Sequence, residues 1–419
     1  MTHTFLAGRH GAALRLALAV LLAAVLVLAL GPAPANALPK WIREFVNATH
    51  GPIDMTMGPD GKLLLAYVDA TIMGEHRQEL RFAVRDGSDW TTTTVAPASY
   101  CPHLDGVNLS LAYNANANLA AISFYDHCAA MYWVAIGVNP VGDEWLWTLE
   151  EPPNWQQGEW SWESFGSDIA IDDQGKIYLV TIDDFKVYYM WRTEDDGWET
   201  TGIPLRKENA GMVQDVSLTL GPDGKPYVAW DNMSQNSGLN YAYPSILNTF
   251  TIEHVTTDHS TGLGHSLVID NSGVPSIAFY AQNRLNYARR TGTDTWEISI
   301  VDPGVSCAAG QFPSMALDAA GNPHISYHCR ADESHGSVRY ASWDGAAWQI
   351  EHASPYYLDN EWTSLVLDEA GTPHILYTHY DDLSYATRTE VPPEAYIDSQ
   401  PPLNDALTTA TFTFHSNDA

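Results

Sequence analysis

A short pattern recurs seven times along this chain, and it limits what the chain can fold into more than any other feature. The clearest copies read Ser266-Leu-Val-Ile-Asp-Asn-Ser-Gly273, Ser314-Met-Ala-Leu-Asp-Ala-Ala-Gly321 and Ser364-Leu-Val-Leu-Asp-Glu-Ala-Gly371, and weaker copies begin at Asp54, Ser110, Asp168 and Ser217. The tight turns fall at Gly58, Asn114, Asp172, Gly221, Asp270, Asp318 and Asp368. Their spacing of roughly fifty residues suits the four strands and turns of a propeller blade.

Each part of the pattern has a physical reading. Ser266 and Val268 alternate with Leu267 and Ile269, as Ser314 and Ala316 do with Met315 and Leu317. Successive residues of a strand face opposite sides, so each first strand has a small face and a large one, and neighbouring blades can interdigitate around a narrow axis. Asp318 to Gly321 is a turn in which the Asp side chain caps backbone N–H groups and the Gly tolerates positive φ. Pro226, Pro275, Pro323 and Pro373 follow such turns at the first position of the second strand, where a missing N–H is least harmful. A third strand reads Leu239-Asn-Tyr-Ala242, Leu285-Asn-Tyr-Ala288, Val338-Arg-Tyr-Ala341 and Leu383-Ser-Tyr-Ala386, and a fourth begins at Trp90, Trp147, Trp198, Phe250, Trp296 and Trp348.

Seven first strands but six fourth strands leave the last copy incomplete. The missing piece sits at the other end, where Trp41-Ile-Arg-Glu-Phe-Val46 matches Trp296-Glu-Ile-Ser-Ile-Val301. The fold class expected is therefore all-β: a seven-bladed β-propeller over residues 38–390, closed by its N-terminal strand so that no sheet edge is left open. A linker follows over 391–394. Residues 395–419 read as the short start of an immunoglobulin-like β domain or a disordered tail.

Residues 1–37 have the three parts of a secretory signal peptide: Arg9 and Arg15, an apolar run from Leu16 to Leu30, and Ala35-Asn36-Ala37 at the cleavage position. The run is shorter than the roughly twenty residues of a spanning helix, so an extracellular or cell-surface protein is expected, with no membrane insertion after cleavage. The chain holds 20 Lys+Arg against 51 Asp+Glu, a formal charge of −31. That excludes nucleic acid and anionic lipid as partners, because both require a basic face. A monomer without a cofactor is expected, with calcium on clustered carboxylates as the alternative.

Exported cysteines pair, and the repeat register selects the pairs. Cys101 and Cys128 flank the first two strands of blade 2, and Cys307 and Cys329 occupy the same places in blade 6. Two disulfides, Cys101–Cys128 and Cys307–Cys329, are expected. Zinc is the alternative, because His127 and His328 adjoin these cysteines, but neither Cys-x-x-Cys nor a His pair at ligand spacing occurs.

Ligand-binding candidates lie in the loops entering first strands and at the ends of second strands, which share one end of a propeller. The loops supply His103, Trp155, Trp160, Trp162, Tyr356, Tyr357 and Trp362, along with Tyr100, Asp105, Glu163, His259, His265 and Phe312. The strand ends supply Asp126, His127, Asp231, His328 and His379, along with Asp69 and Asp183. Aromatic faces beside Asp and His suit a sugar, whose C–H faces stack while its hydroxyls bond to carboxylate or imidazole. The same residues could equally pack loops or cap strand ends. No Gly-rich phosphate loop, His-Glu-x-x-His or Gly-x-Ser-x-Gly element occurs, and no catalytic residue is assigned.

Ser-Leu-x-x-Asp-x-x-Gly-x-Pro, then Leu-x-Tyr-Ala, then a Trp-led strand resembles the sialidase-like propeller repeats of secreted bacterial proteins, over residues 41–390. Ser342-Trp-Asp-Gly-Ala-Ala-Trp348 comes close to the Asp-box of that family but is one residue short, and Asp86-Gly-Ser-Asp-Trp90 is a remnant. Asp-boxes are structural there. Sialidases also grip a carboxylate with three arginines, because planar guanidinium forks bind it bidentately. The rim candidates here, Arg77, Arg206, Arg284 and Arg330, do not fall in the early-blade motif, so the catalytic motif is not evident. The function expected is a non-catalytic module binding a glycan or an extracellular protein. A glycoside hydrolase or lyase on this scaffold is the first alternative, and a structural adhesion propeller the second.

Overall fold

Copies 2 to 6 of the repeat each fold into four antiparallel strands laid side by side in chain order, with the first strand at one edge of the sheet. The computed structural model describes residues 39–69, 79–97, 109–126, 131–139, 144–153, 166–183, 186–200, 213–232, 238–245, 249–257, 264–332, 335–354, 362–379, 382–390, 395–399 and 413–416. Blades 2 to 6 are separate four-stranded sheets, and blades 1 and 7 are joined into one seven-stranded sheet by a shared strand. Together they are the seven blades of a β-propeller, all-β as the repeat implied. Residues 41–387 form this unit. A second unit includes the antiparallel pair Ala395–Ser399 and Thr413–Ser416, with Ala395 opposite Ser416 and Ile397 opposite Phe414. The leader 1–37 and the linker 391–394 lie outside the described residues.

The first strands are tied into a closed ring by the residue that opens each copy. The N–H groups of Leu111, Ile169 and Leu218 donate to Asp54 Oδ2, Ser110 Oγ and Asp168 Oδ2 of the preceding blade, at 2.8, 3.3 and 2.6 Å. Met315, Leu365 and Met55 donate in the same way to Ser266, Ser314 and Ser364, at 3.1, 3.0 and 3.1 Å. Between blades 4 and 5 the sense reverses, and Ser217 Oγ donates to the His265 carbonyl at 3.0 Å. An edge strand carries outward N–H groups that are costly to bury unpaired. Ser and Asp are short enough to meet them without pushing the blades apart.

Further out, an aromatic contact recurs. The residue leading a fourth strand sets its edge against the third-strand aromatic of the preceding blade. Trp147 meets Phe82, Phe250 meets Tyr189, Trp296 meets Tyr241, Trp348 meets Tyr287 and Trp90 meets Tyr385, all T-shaped with centroids 4.9 to 5.8 Å apart. The Tyr of Leu-x-Tyr-Ala and the Trp leading the fourth strand of the following blade are thus two halves of one inter-blade joint, in the edge-to-face geometry aromatic quadrupoles prefer. Two of these joints carry a carboxylate clasp as well, and a third clasp stands between blades 2 and 3. Glu44 takes Arg85 and Trp90 Nε1, Glu150 takes Arg192 and Trp198 Nε1, and Glu253 takes Nε and Nη2 of Arg290.

The turns follow the sequence pattern. Asp318 Oδ1 accepts the N–H groups of Ala320 and Asn322, and Gly321 takes a φ of 83°, open to Gly at little cost. The ring closes as the missing fourth strand implied. Pro39–Met57 is one 19-residue strand lying between the third strand of blade 7 and the second strand of blade 1. Its early part completes blade 7: Trp41 stacks edge-on against Tyr340 at 5.3 Å, and its Nε1–H donates to Glu351. Its later part is the first strand of blade 1, with Asp54 opposite Ala66. Cys307 and Cys329 form a disulfide with Cα atoms 5.5 Å apart, whereas Cys101 and Cys128 lie outside the described residues.

Trp41 is 9 % exposed, and its truncation to Ala should cost about 3 kcal/mol. Deleting residues 38–47 should expose the third strand of blade 7 and give aggregated material by size exclusion. A deletion variant that stays monomeric with unchanged melting would show that this strand does not close the ring.

Candidate functional site

The second strands of the seven blades end beside the starts of the first strands, and this loop-side end holds most candidates from the sequence. The ladder register separates those candidates into two sets. Asp54 lies opposite Ala66, Ser110 opposite Ser123, Ser217 opposite Ala229 and Ser314 opposite Ser326. Counted from these pairs, Asp231 and His328 stand two residues on, whereas Asp69 and Asp126 stand three. One residue along a strand is a change of face, so Asp231 and His328 lie on the blade face opposite that of Asp69 and Asp126. His379 ends the second strand of blade 7 in the same register position as Asp69. His103, His127, Trp155, Trp160, Trp162, Tyr356 and Tyr357 lie outside the described residues.

Asp231 is fully buried and belongs to a chain of contacts that crosses from blade 4 to blade 5. Its Oδ1 accepts the N–H of Asp215 at 2.9 Å. Asp215 Oδ2 in turn accepts the N–H of His265 at 3.0 Å and sits 3.3 Å from His265 Nδ1. Asp231 therefore fixes Asp215, and Asp215 holds the start of the next first strand. Asp126 is buried at the end of its strand, 4 % exposed. On blade 1, Asp69 pairs with Arg81, which also bonds Glu79.

At blades 6 and 7 the surroundings are aromatic. His328 lies opposite Gln311, and the next residue, Phe312, has a φ of 48°. A bulky side chain in the left-handed region is strained and persists only where its neighbours hold it. Here the Phe312 carbonyl accepts the Thr363 hydroxyl at 2.9 Å, and Thr363 is tied in turn to Ser326 at 2.9 Å. From blade 5, Gly264 packs so closely that a Cβ would lie 3.1 Å from Phe312 Cα. The strained backbone presents the Phe312 ring to Trp362, with centroids 4.8 Å apart and planes tilted by 44°. Both rings are half-buried, so part of each remains open.

His328 is 2 % exposed, and neither ring nitrogen has a hydrogen-bond partner among the described residues. Burial, with a smaller push from Arg330, depresses the imidazole from 6.5 to about 4, so it is neutral at physiological pH. Nearby, Arg339 Nη1 donates to Asp302 Oδ2 at 2.7 Å, and the Tyr327 hydroxyl donates to the same oxygen at 2.7 Å. That buried network adjoins Cys329 and ties the exit of blade 5 to blade 6.

Of the rim arginines, Arg330 donates to the Asp332 carbonyl, and Arg77 and Arg206 lie outside the described residues. Among the described residues, no three His, Cys, Asp or Glu side chains are grouped to hold a metal ion. Asp231, His328, Phe312 and Trp362 were singled out in the sequence, whereas Asp215 and Gln311 were not. Asp215 left a faint signal, an acidic residue just ahead of a repeat copy. Gln311 left none.

No family model matches the chain, and no curated protein is significantly similar to it in sequence. Solved structures share its architecture at low identity. The BP39L lectin from Burkholderia pseudomallei is 14 % identical with a TM-score of 0.58, covering 80 % of this chain and 97 % of that one. AofleA from Arthrobotrys oligospora is 9 % identical with a TM-score of 0.51, covering 76 % of this chain and 90 % of that one. The intramolecular trans-sialidase from Ruminococcus gnavus is 11 % identical with a TM-score of 0.44, covering 82 % and 96 %, a level on which no weight rests. The likeness is one of fold.

The depressed His328 value has a definite sign. The unfolded chain binds this proton more readily, so the contribution of His328 to stability is complete above about pH 6.5 and is lost as pH falls towards 4. By NMR, the His328 ring should show no titration above about pH 5. His328→Tyr, which places the residue of the equivalent blade 5 position (Tyr280), should remove that part of the acid-side loss.

Proposed function

We propose that the propeller is a secreted binding module that recognises a glycan, or a glycan-bearing cell-surface partner, through the loop-side end of blades 6 and 7. The observation that carries this reading is the Phe312–Trp362 pair. A strained backbone holds one half-open aromatic ring against another, where first strands begin and a second strand ends. Sugar rings stack their C–H faces on such surfaces. Gln311 and the neutral imidazole of His328 bring donor and acceptor capacity to the same strand ends, suited to hydroxyls rather than to a formal charge. The acidic surface favours neutral ligands over polyanions.

Other features agree with this setting. The Cys307–Cys329 disulfide is compatible with an oxidising compartment, and no helix among the described residues is long and apolar enough to cross a membrane. The same architecture serves a lectin in BP39L.

The test is a glycan array and titration calorimetry on the full chain, alongside a panel of chromogenic glycosides. Trp362→Ala should weaken binding about 10-fold or more, because central aromatic anchors dominate such contacts. Turnover of a chromogenic glycoside by the wild type would replace this reading with a glycoside hydrolase. Neither binding nor turnover would leave a structural propeller.

A further inference from the structure

Two of the seven positions that open the repeat copies differ in kind from the rest. Five carry Ser, whereas blades 1 and 3 carry Asp54 and Asp168. Both carboxylates sit in the ring of first strands, and Ser110 of blade 2 stands between them. Its hydroxyl donates to Asp168 Oδ1 at 2.5 Å and is also within hydrogen-bonding reach of Asp54. A hydroxyl has one proton, so it can satisfy only one of two ionised carboxylates at a time.

The remaining partners are neutral. Asp54 accepts the Met55 and Leu111 N–H groups, each at 2.8 Å, and the Ser364 hydroxyl at 2.9 Å. Asp168 accepts the N–H groups of Ile169 and Leu218 at 2.8 and 2.6 Å. The strands packed against them bring no cation. Ser110–Asn114 carries Tyr113 as its only titratable group, Thr363–Leu367 has none, and Val213–Leu220 has Asp215, which is engaged with His265. Of the second strands behind, Leu63–Asp69 carries Tyr67, bonded to Asn47, and Asp69, paired with Arg81. Ile177–Asp183 carries Asp183 and Tyr178, the latter bonded to Asp172.

We propose that Asp54, Ser110 and Asp168 form a shared-proton bridge in the inner ring. At mildly acidic pH one extra proton resides on the pair and fastens blades 1, 2 and 3. As pH rises through neutrality the proton leaves, two like charges face one hydroxyl, and the ring loosens. Burial is the main cause: it pushes Asp54 up to about 6 and Asp168 up to about 7, and the charge of Asp54 raises Asp168 further. The two titrate as a unit. Because these values lie above the ordinary 3.8, the folded chain holds more protons than the unfolded one between about pH 4 and 7. This contribution to stability is complete below that window and is lost as pH climbs through it, opposite in sign to that of His328.

The experiment compares melting of the full chain from pH 5 to 8 for the wild type, for D54S and D168S, which restore the residue of the other five copies, and for the exposed single-charge control D195N. The control matches the loss of negative charge without touching the ring. Wild type and control should melt about 3 °C lower at pH 8 than at pH 5.5, and each ring variant should lose much of that slope. Equal slopes in wild type and ring variants would overturn the proposal. If the ring variants do not fold, infrared spectra of the wild type decide. A protonated-carboxyl band growing as pH falls from 8 to 5.5 supports the bridge, and a band seen only below pH 4.5 overturns it.

Discussion

Seven blades can stand around an axis only if the inner strand of each finds partners for its outward N–H groups, and here a Ser or Asp of the neighbouring blade supplies them. Each such bond contributes only about 1 kcal/mol net, but leaving a buried N–H without a partner costs more. The ring is also closed, so no member can leave without orphaning the next. This is why every copy of the repeat opens on a small oxygen-bearing side chain and continues on a large apolar one: the first reaches sideways to the next blade while the second fills the space between blades.

The outer fastening follows from the same geometry on a larger radius. Blades diverge away from the axis, so the joint there needs larger groups, and the Tyr–Trp edge contact spans that wider gap. Its recurrence explains why Leu-x-Tyr-Ala and the Trp-led strand travel together in the sequence although they act in different blades. Trp41 makes the same contact against Tyr340 with a clasp of its own to Glu351, so the N-terminal strand enters the joint as any internal fourth strand would. One continuous strand then becomes the innermost strand of blade 1, which couples ring closure on the outside to the hydrogen-bond ring on the inside.

The candidate site is a consequence of this scaffold. Strand ends that look equivalent in the sequence are separated by a one-residue difference in register, which turns Asp231 and His328 to one face and Asp69 and Asp126 to the other. Asp231 then serves Asp215 and the start of blade 5. At blade 6 the backbone accepts strain at Phe312, and the product is an aromatic pair beside an imidazole without a partner among the described residues.

By itself, the sequence determined the number of blades, the order of their strands, the capped turns, the closing strand at Trp41 and the Cys307–Cys329 bridge. All of these are written in local periodicity, turn chemistry and a count of copies, which need no knowledge of distant contacts. Tertiary structure alone decided what the opening Ser and Asp residues bond to and which strand ends share a face. It alone set the φ of Phe312 and brought two carboxylates to one hydroxyl. The physical reason is range: periodicity tells a residue which way it faces within its own strand. Its partner there belongs to another blade, roughly fifty residues away or more, and only closure of the ring brings the two together.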